Sequence, residues 1–248
     1  MEILPRTSSF SKNNFLNSFY RKNFLYLIQK SFKEKKPIIA SNIKKKKNSK
    51  FQILKDFKKL TFHSKILKGQ KIKSFFKNFT FFVNFKKPQI IFFFEFKKKK
   101  NYLWINRLPT DPLFCLSIQN IKSSASFFFL GNRFKSAKPI ILFDSSFEKK
   151  PHLMMIKQIF QNFFFLKTKH RKILPFVDHV ISFCNYQNKI WLRIFQINFS
   201  RKENIHSSYK IEHLIEIGPR LSLNPIRGWS DLKKNYLIYD STVFKKKF

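Results

Sequence analysis

Residues 210–229 read KIEHLIEIGPRLSLNPIRGW, and the fold turns on how this stretch is taken. Ile211, His213, Ile215 and Ile217 fall on one side of a period-two pattern, and Glu212 and Glu216 on the other. That is how a strand with one buried face reads. Gly218-Pro219 then interrupts the run. Glycine tolerates positive φ and proline fixes its own φ, so the pair predicts a tight turn. Alternation resumes with Leu221 and Leu223 on one face and Arg220, Ser222 and Asn224 on the other. The expectation is a hairpin, residues 211–217 paired with 221–226, with Arg220 and Arg227 near its ends. Spacing alone leaves two uses for it: a structural hairpin with solvated arginines, or one that offers both arginines to a ligand.

Working outward, residues 189–197 predict a strand and 198–209 a polar loop leading into the hairpin. Residues 176–183 fit a strand or a short helix, and 139–143 an apolar strand. Pro151 suits the first turn of a helix. Leu153, Ile156, Ile159, Phe160, Phe163 and Phe164 line one face of that helix, and Lys157, Gln158, Gln161 and Asn162 the other. Lys167, Lys169, His170, Arg171 and Lys172 follow its end, where cations complement the helix dipole and equally suit an RNA phosphate.

Further upstream, residues 89–96 read as a fully buried strand. Lys97, Lys98, Lys99 and Lys100 form the turn after it, residues 102–105 the returning strand, and 113–121 another strand. Helical spacing marks 51–60 and 72–79, and a short strand is expected at 37–41. Around residues 24–28 the pattern fits one short amphipathic helix. Strands alternate with helical segments in both halves, which argues α/β layering. One domain is expected over 36–240, between a basic extension at 1–35 and a basic tail at 241–248.

Charge narrows the function. Among 248 residues, 51 Lys and Arg face 13 Asp and Glu, for a formal net charge of +38. A folded chain so unbalanced repels itself unless a polyanion lies against it. Nucleic acid is the first candidate, because neutralised phosphates release counterions; an anionic membrane surface is the second. The abundance of Phe (35) with only 4 Gly also fits an AT-rich coding sequence. Such a bias does not hold acidic residues down to 13. Lys44, Lys45, Lys46 and Lys47 form a basic run that reads as a solvated loop or a phosphate contact.

Other chemistries lack their residues. Cys115 and Cys184 form no CxxC and no metal-ligand spacing with the six histidines, so neither a zinc site nor a disulfide framework is expected. Reduced thiols in an intracellular protein are the default. No apolar run reaches the eighteen or so residues of a membrane span. Residues 3–33 are poor in acid and rich in Ser, Asn, Lys and Phe, which fits an organelle transit segment, a disordered arm or an RNA-clasping arm.

Asp178, His179, Ser182 and Cys184 lie close in sequence, but catalytic triads converge from separate segments. His179 therefore reads as a packed histidine. Glycines at 69, 131, 218 and 228 build neither a Walker loop nor a dinucleotide fingerprint. No catalytic residue, metal, cofactor or small-molecule substrate is expected.

Five blocks in fixed order resemble a known family. LIEIGPRLSLNPIRGW, from Leu214, is similar to the signature hairpin of the Brix-domain ribosome-assembly family. YLWINRLPTDPLFCLSIQNI (102–121), KPIILFDSSFEKKPHLMMIKQIFQNFF (138–164), KHRKILPFVDHVISF (169–183) and NKIWLRIFQI (188–197) are similar to its preceding segments. The resemblance spans about residues 36–240 and is closest to the large-subunit branch. Two departures stand out. The family usually carries a glycine where this chain has Ser136 or Ala137. Its glycine-rich segment after the hairpin is reduced here to Gly228 before Trp229-Ser230-Asp231, with YLIYDS (236–241) as a remnant of the next block.

The resemblance implies two similar α/β halves, each a mixed sheet with packed helices, related to the anticodon-binding domain of some aminoacyl-tRNA synthetases. It implies a nucleolar, non-enzymatic role, with precursor ribosomal RNA of the large subunit and other large-subunit assembly proteins as partners and no membrane. The expected RNA contacts are Lys44, Lys45, Lys46, Lys47, Lys97, Lys98, Lys99, Lys100, Lys169, Arg171, Lys172, Arg220 and Arg227. The rival reading is a basic structural protein of an organelle ribosome.

Overall fold

The computed structural model describes residues 36–43, 49–61, 63–67, 90–108, 112–126, 131, 133–134, 136–164, 174, 176–201, 209–230 and 236–241. The extension at 1–35, the helices expected near 24–28 and at 72–79, and the tail beyond 241 lie outside them.

Eleven strands join one sheet. They are β1 (Ile38–Ser41), β2 (Lys65–Ile66), β3 (Ile90–Phe96), β4 (Asn101–Arg107), β5 (Leu113–Lys122), β6 (Lys138–Phe143), β7 (Val177–Tyr186), β8 (Lys189–Arg201), β9 (Tyr209–Glu216), β10 (Arg220–Trp229) and β11 (Leu237–Asp240). Among the described residues the α-helices are α1 (Ser49–Leu60), α2 (Ser146–Lys149) and α3 (Pro151–Phe164). Strand order is β2-β1-β3-β4-β5-β10-β8-β7-β6, with β9 also on β8 and β11 on β10.

The order contains one motif twice. β1 runs parallel to β3, and β3, β4 and β5 follow antiparallel. β6 runs parallel to β7, and β7, β8 and β10 follow antiparallel. A parallel pair needs a crossover connection; α1 lies on the first and α3 on the second. The expected two similar halves are present, but their sheets are fused. β5 pairs with β10 from Arg220↔Lys122 to Trp229↔Leu113.

Helix-face packing explains why the halves do not separate. One core gathers Ile53, Leu54 and Phe57 of α1, Ile156, Phe160, Phe163 and Phe164 of α3, and inward residues of β3, β4, β5, β7, β8 and β10. Phe57 and Phe164 bring α1 and α3 together, with ring centroids 6.1 Å apart. Phe160 lies 5.6 Å from Phe92 of the first half and 4.7 Å from Phe183 of the second. All seven residues of β3 are buried, as its continuous apolar run predicts for a strand covered on both faces. Its other face joins a smaller core in which Trp104 and Trp229 stack at 6.1 Å. Trp104 Nε1 donates to the buried Glu95 at 2.9 Å.

The hairpin expected at 211–226 does not form. β9 and β10 are successive parts of one path along β8: Glu216 pairs with Phe195 and Leu221 with Leu192. The Ile217 amide donates to the Ile194 carbonyl at 2.9 Å. Five steps of this path oppose three of β8, so Gly218-Pro219 lies in a bulge, with Gly218 at φ 62° and a cis peptide bond to Pro219. The physical reason is the position of β10. Leu221, Ser222 and Leu223 are all buried, because β10 fills the seam between β5 and β8. A chain reversal at 218–219 would have left that seam open. The expected apolar face of β9 is only partly buried where its side chains are described: His213 is exposed, Ile215 half-buried and Ile217 buried.

Three smaller differences share a cause, which is pairing partners distant in sequence. Residues 198–201, expected in a loop, continue β8 because β9 pairs with them. Residues 177–186 are strand, held between β6 and β8. Residues 237–240 pair with 227–229 of β10. The β7–β8 turn has Gln187 and Asn188 at φ 51° and 57°, the two positive values of a type I′ hairpin turn, without the usual glycine.

Candidate nucleic-acid interface

Lys98 and Lys99 form the tip of the β3–β4 turn. Phe96 pairs with Asn101, and the Lys97 amide donates to the Lys100 carbonyl at 3.1 Å. All four lysines are exposed. Lys97 differs from the others: its Nζ lies 3.4 Å from Glu95 and 5.1 Å from the Tyr102 ring centroid.

Register places other cations at the same end of the sheet. Asn101, Ile118 and Leu223 align across β4, β5 and β10. The lysine turn extends beyond that line in the direction of Lys122 and Arg220, which pair with each other. Arg193 of β8 is one residue past Leu192, the partner of Leu221. Sequence reading missed Lys122 and Arg193, because no local run marks them; only the ladder brings them beside Arg220.

The two expected arginines are separated and engaged. Arg220 donates from Nε to Glu216 Oε1 at 2.8 Å and from Nη2 to Oε2 at 2.5 Å. This forked ion pair spans the Gly218-Pro219 bulge and raises the Arg220 pKa, through the Glu216 hydrogen bond first. Arg227 is seven residues further along the same strand, roughly 23 Å away at strand rise. Its Nε donates to Asp240 Oδ2 at 3.0 Å. The arginines therefore mark two ends of one strand rather than one patch. Lys44, Lys45, Lys46, Lys47, Lys169, Arg171 and Lys172 lie outside the described residues.

Strand β7 carries the cluster at 178–184, and within it the Ser182 Oγ and Cys184 Sγ lie 3.6 Å apart. Asp178 is buried and accepts from the Phe134 amide at 2.7 Å. The β6–β7 register shifts here, Lys138 pairing with Val177 and Pro139 with His179, so Asp178 has no partner on β6. His179 is 1% exposed, and neither ring nitrogen has a hydrogen-bond partner. Burial, then the Arg133 charge, depress its pKa to about 4. It is a neutral core histidine. Arg133 itself interacts electrostatically with Asp178 of the second half and Asp56 of the first.

Among the described residues no group of three or more His, Cys, Asp and Glu converges. Among them also, no helix is long and apolar enough to cross a membrane. Cys115 is buried and Cys184 exposed, both as free thiols.

Similarity to known proteins follows this architecture. The family model described as Brix domain matches residues 33–227. The chain is 36% identical over 139 residues to Ribosome biogenesis protein BRX1 of Saccharomyces cerevisiae, covering 55% of this chain and 48% of that one. The Homo sapiens BRX1 homolog is 37% identical over 139 residues, covering 54% and 36%. Arabidopsis thaliana BRX1 homolog 2 is 28% identical over 166 residues, covering 65% and 52%. The matched stretch thus spans about half or less of these relatives' length. A crystal structure of a probable ribosomal biogenesis protein from Aeropyrum pernix K1 aligns with a TM-score of 0.38 at 8% identity, over 76% of this chain and 95% of that one.

Proposed function

The chain belongs to the Brix domain family, and from that premise we propose that it is a ribosome biogenesis factor that binds precursor ribosomal RNA of the large subunit. It works by binding and performs no bond-breaking step. Its compartment is the nucleolus, and its protein partners are other large-subunit assembly factors. The domain that does this spans 36–240, between the basic arm at 1–35 and the basic tail.

The observation that carries the RNA reading is the exposed lysine turn 97–100, with Lys122, Arg193 and Arg220 at the same end of the sheet. Phosphate contacts of this kind position a protein on RNA through charge and shape. Arg227, at the far end beside Asp240, contributes less. The basic segments Lys44, Lys45, Lys46, Lys47, Lys169, Arg171 and Lys172 add further phosphate contacts. Partner docking uses the β6 end of the sheet. β6 closes the strand order among the described residues, and its Ile140 and Leu142 are exposed. An open strand edge with apolar side chains suits strand addition by a partner.

The test is RNA binding by the full chain across a salt series. The expected result is an affinity that falls linearly on a log–log plot. Replacing Lys98, Lys99 and Lys100 by Gln lessens the slope by up to about 0.9 for each phosphate left without its cation. A flat response to salt, or recovery of the protein only in mature ribosomes, would overturn the proposal.

A further inference from the structure

β8 begins Lys189-Ile190-Trp191-Leu192-Arg193-Ile194-Phe195. Ile190, Leu192 and Ile194 are completely buried in the helix-covered core. Strand alternation puts Lys189, Trp191, Arg193 and Phe195 on the opposite face, where all four are half-buried. Cation and aromatic therefore alternate along the strand face opposite the helix-covered core. The adjacent strand β7 adds small or aromatic neighbours: Tyr186 opposite Lys189, Cys184 opposite Trp191, Ser182 opposite Arg193. Tyr186 and Cys184 are exposed. No carboxylate occupies these β7 positions; on the other side of β8, Glu216 stands opposite Phe195 and is held by Arg220.

Two details concern the indole. The Arg193 guanidinium lies 5.8 Å from the Trp191 ring centroid, within cation–π range. Arg193 makes no ion pair among the described residues, unlike Arg220 and Arg227. Trp191 Nε1 has no hydrogen-bond partner among the described residues, although it is shielded from solvent. An unpaired indole donor calls for a partner.

We propose that this face binds single-stranded RNA by stacking unpaired bases on Trp191 and Phe195, with Arg193 and Lys189 on the flanking phosphates. The inference rests on the RNA-binding reading above and assigns it a site. The spacing selects the form of the strand. Trp191 and Phe195 are four residues apart, roughly 13 Å at strand rise, whereas stacked nucleotides advance about 3.4 Å along a strand. The two rings therefore take bases splayed from one another, which a duplex does not offer. A π-face accepts any base, so the site is tolerant of sequence. The charge favours RNA over a protein segment, because Lys189 and Arg193 form no ion pair among the described residues and the one neighbouring carboxylate, Glu216, is neutralised by Arg220.

The full chain is titrated with single-stranded oligouridylate and oligoadenylate and with a duplex of equal length, following tryptophan emission. Trp104 and Trp229 are each 9% exposed and stacked on one another, so Trp191 is the ring a base can reach. Single strands are expected to quench the emission and the duplex is not; Trp191→Phe removes the quench while keeping most of the affinity. Trp191→Ala weakens single-strand binding roughly 5- to 150-fold, the range for loss of one stacked base, without changing the salt slope. Arg193→Gln lessens the slope by about 0.7, one phosphate on a single strand. Equal quenching by duplex, or RNA binding that leaves Trp191 emission and the Trp191→Ala affinity unchanged, overturns this site and leaves the wider reading standing. Absence of any RNA binding at low salt overturns both. Protection of Trp191 by an assembly protein instead of RNA would identify the face as a protein surface and reject the proposal.

Discussion

Phe92 of the first half and Phe163 of the second stack with centroids 3.6 Å apart and planes inclined by 5°. Each ring is completely buried. The stack ties α3, which belongs to the second repeat, to β3 of the first.

One cooperative unfolding transition follows, despite the internal repeat. Phe163→Ala is expected to destabilise the whole domain by about 3–5 kcal/mol, the range for deleting a buried aromatic. Urea unfolding followed by far-ultraviolet circular dichroism and by tryptophan fluorescence should give one midpoint. Separate midpoints would mean the halves fold apart.

Ser136 stands at φ 69°, in the left-handed region where a side chain costs roughly 1–2 kcal/mol. It is also one of the two positions, with Ala137, at either of which the resemblance leads one to expect a glycine. Ser136→Gly should raise stability by about 0.5–1 kcal/mol, after the loss from greater unfolded-state freedom. Ser136→Val should lower it. Thermal melts of the two variants decide the matter.

His179 sets an acid limit. Its folded pKa is about 4 against about 6.5 unfolded. The folded state thus binds the proton less readily than the unfolded chain. Stability from the neutral ring is present above about pH 6.5 and lost as the pH falls toward about 4, by about 3 kcal/mol at most from this group. His152, also held near 4, chiefly by burial and next by Lys150, acts in the same direction. His179→Leu removes two unpaired ring nitrogens from the core. Its melting temperature should match or exceed the parent at about pH 7 and exceed it by more at about pH 5.

The Glu216–Arg220 pair restrains a cation that lies among others. Glu216→Gln should cost about 1 kcal/mol or less, because the pair is partly exposed. The same change should strengthen RNA binding at low salt and steepen its salt dependence by up to about 0.9. Unchanged binding would mean that Arg220 reaches no phosphate.

What the sequence disclosed was local. The helix at 151–164 was legible because its apolar residues recur at helical spacing, and 90–96 because its apolar run is too short for a buried helix and is closed by a lysine turn. Gly218-Pro219 misled because turn chemistry and bulge chemistry use the same residues. The choice between them was made by Lys122 and Leu192, remote residues that no nearby pattern reveals. Arg220 was legible as a cation of the region, but its engagement by Glu216 across the bulge was not. The alternation of Lys189, Trp191, Arg193 and Phe195 was visible in the sequence. Its importance depended on the helices among the described residues packing on the opposite face of β8.

The place of β10 bears on biosynthesis. A nascent chain that has not yet reached Arg220 holds both repeats with β5, and residues 190–192 of β8, as bare, unsatisfied margins. Such margins invite pairing with other chains. The Asn120 amide meets its acceptor, Ser222 Oγ, 102 residues later, and pairings so remote slow folding. Emergence of β10 is thus the step that closes these margins, and a stop ahead of it leaves them free to pair with other chains.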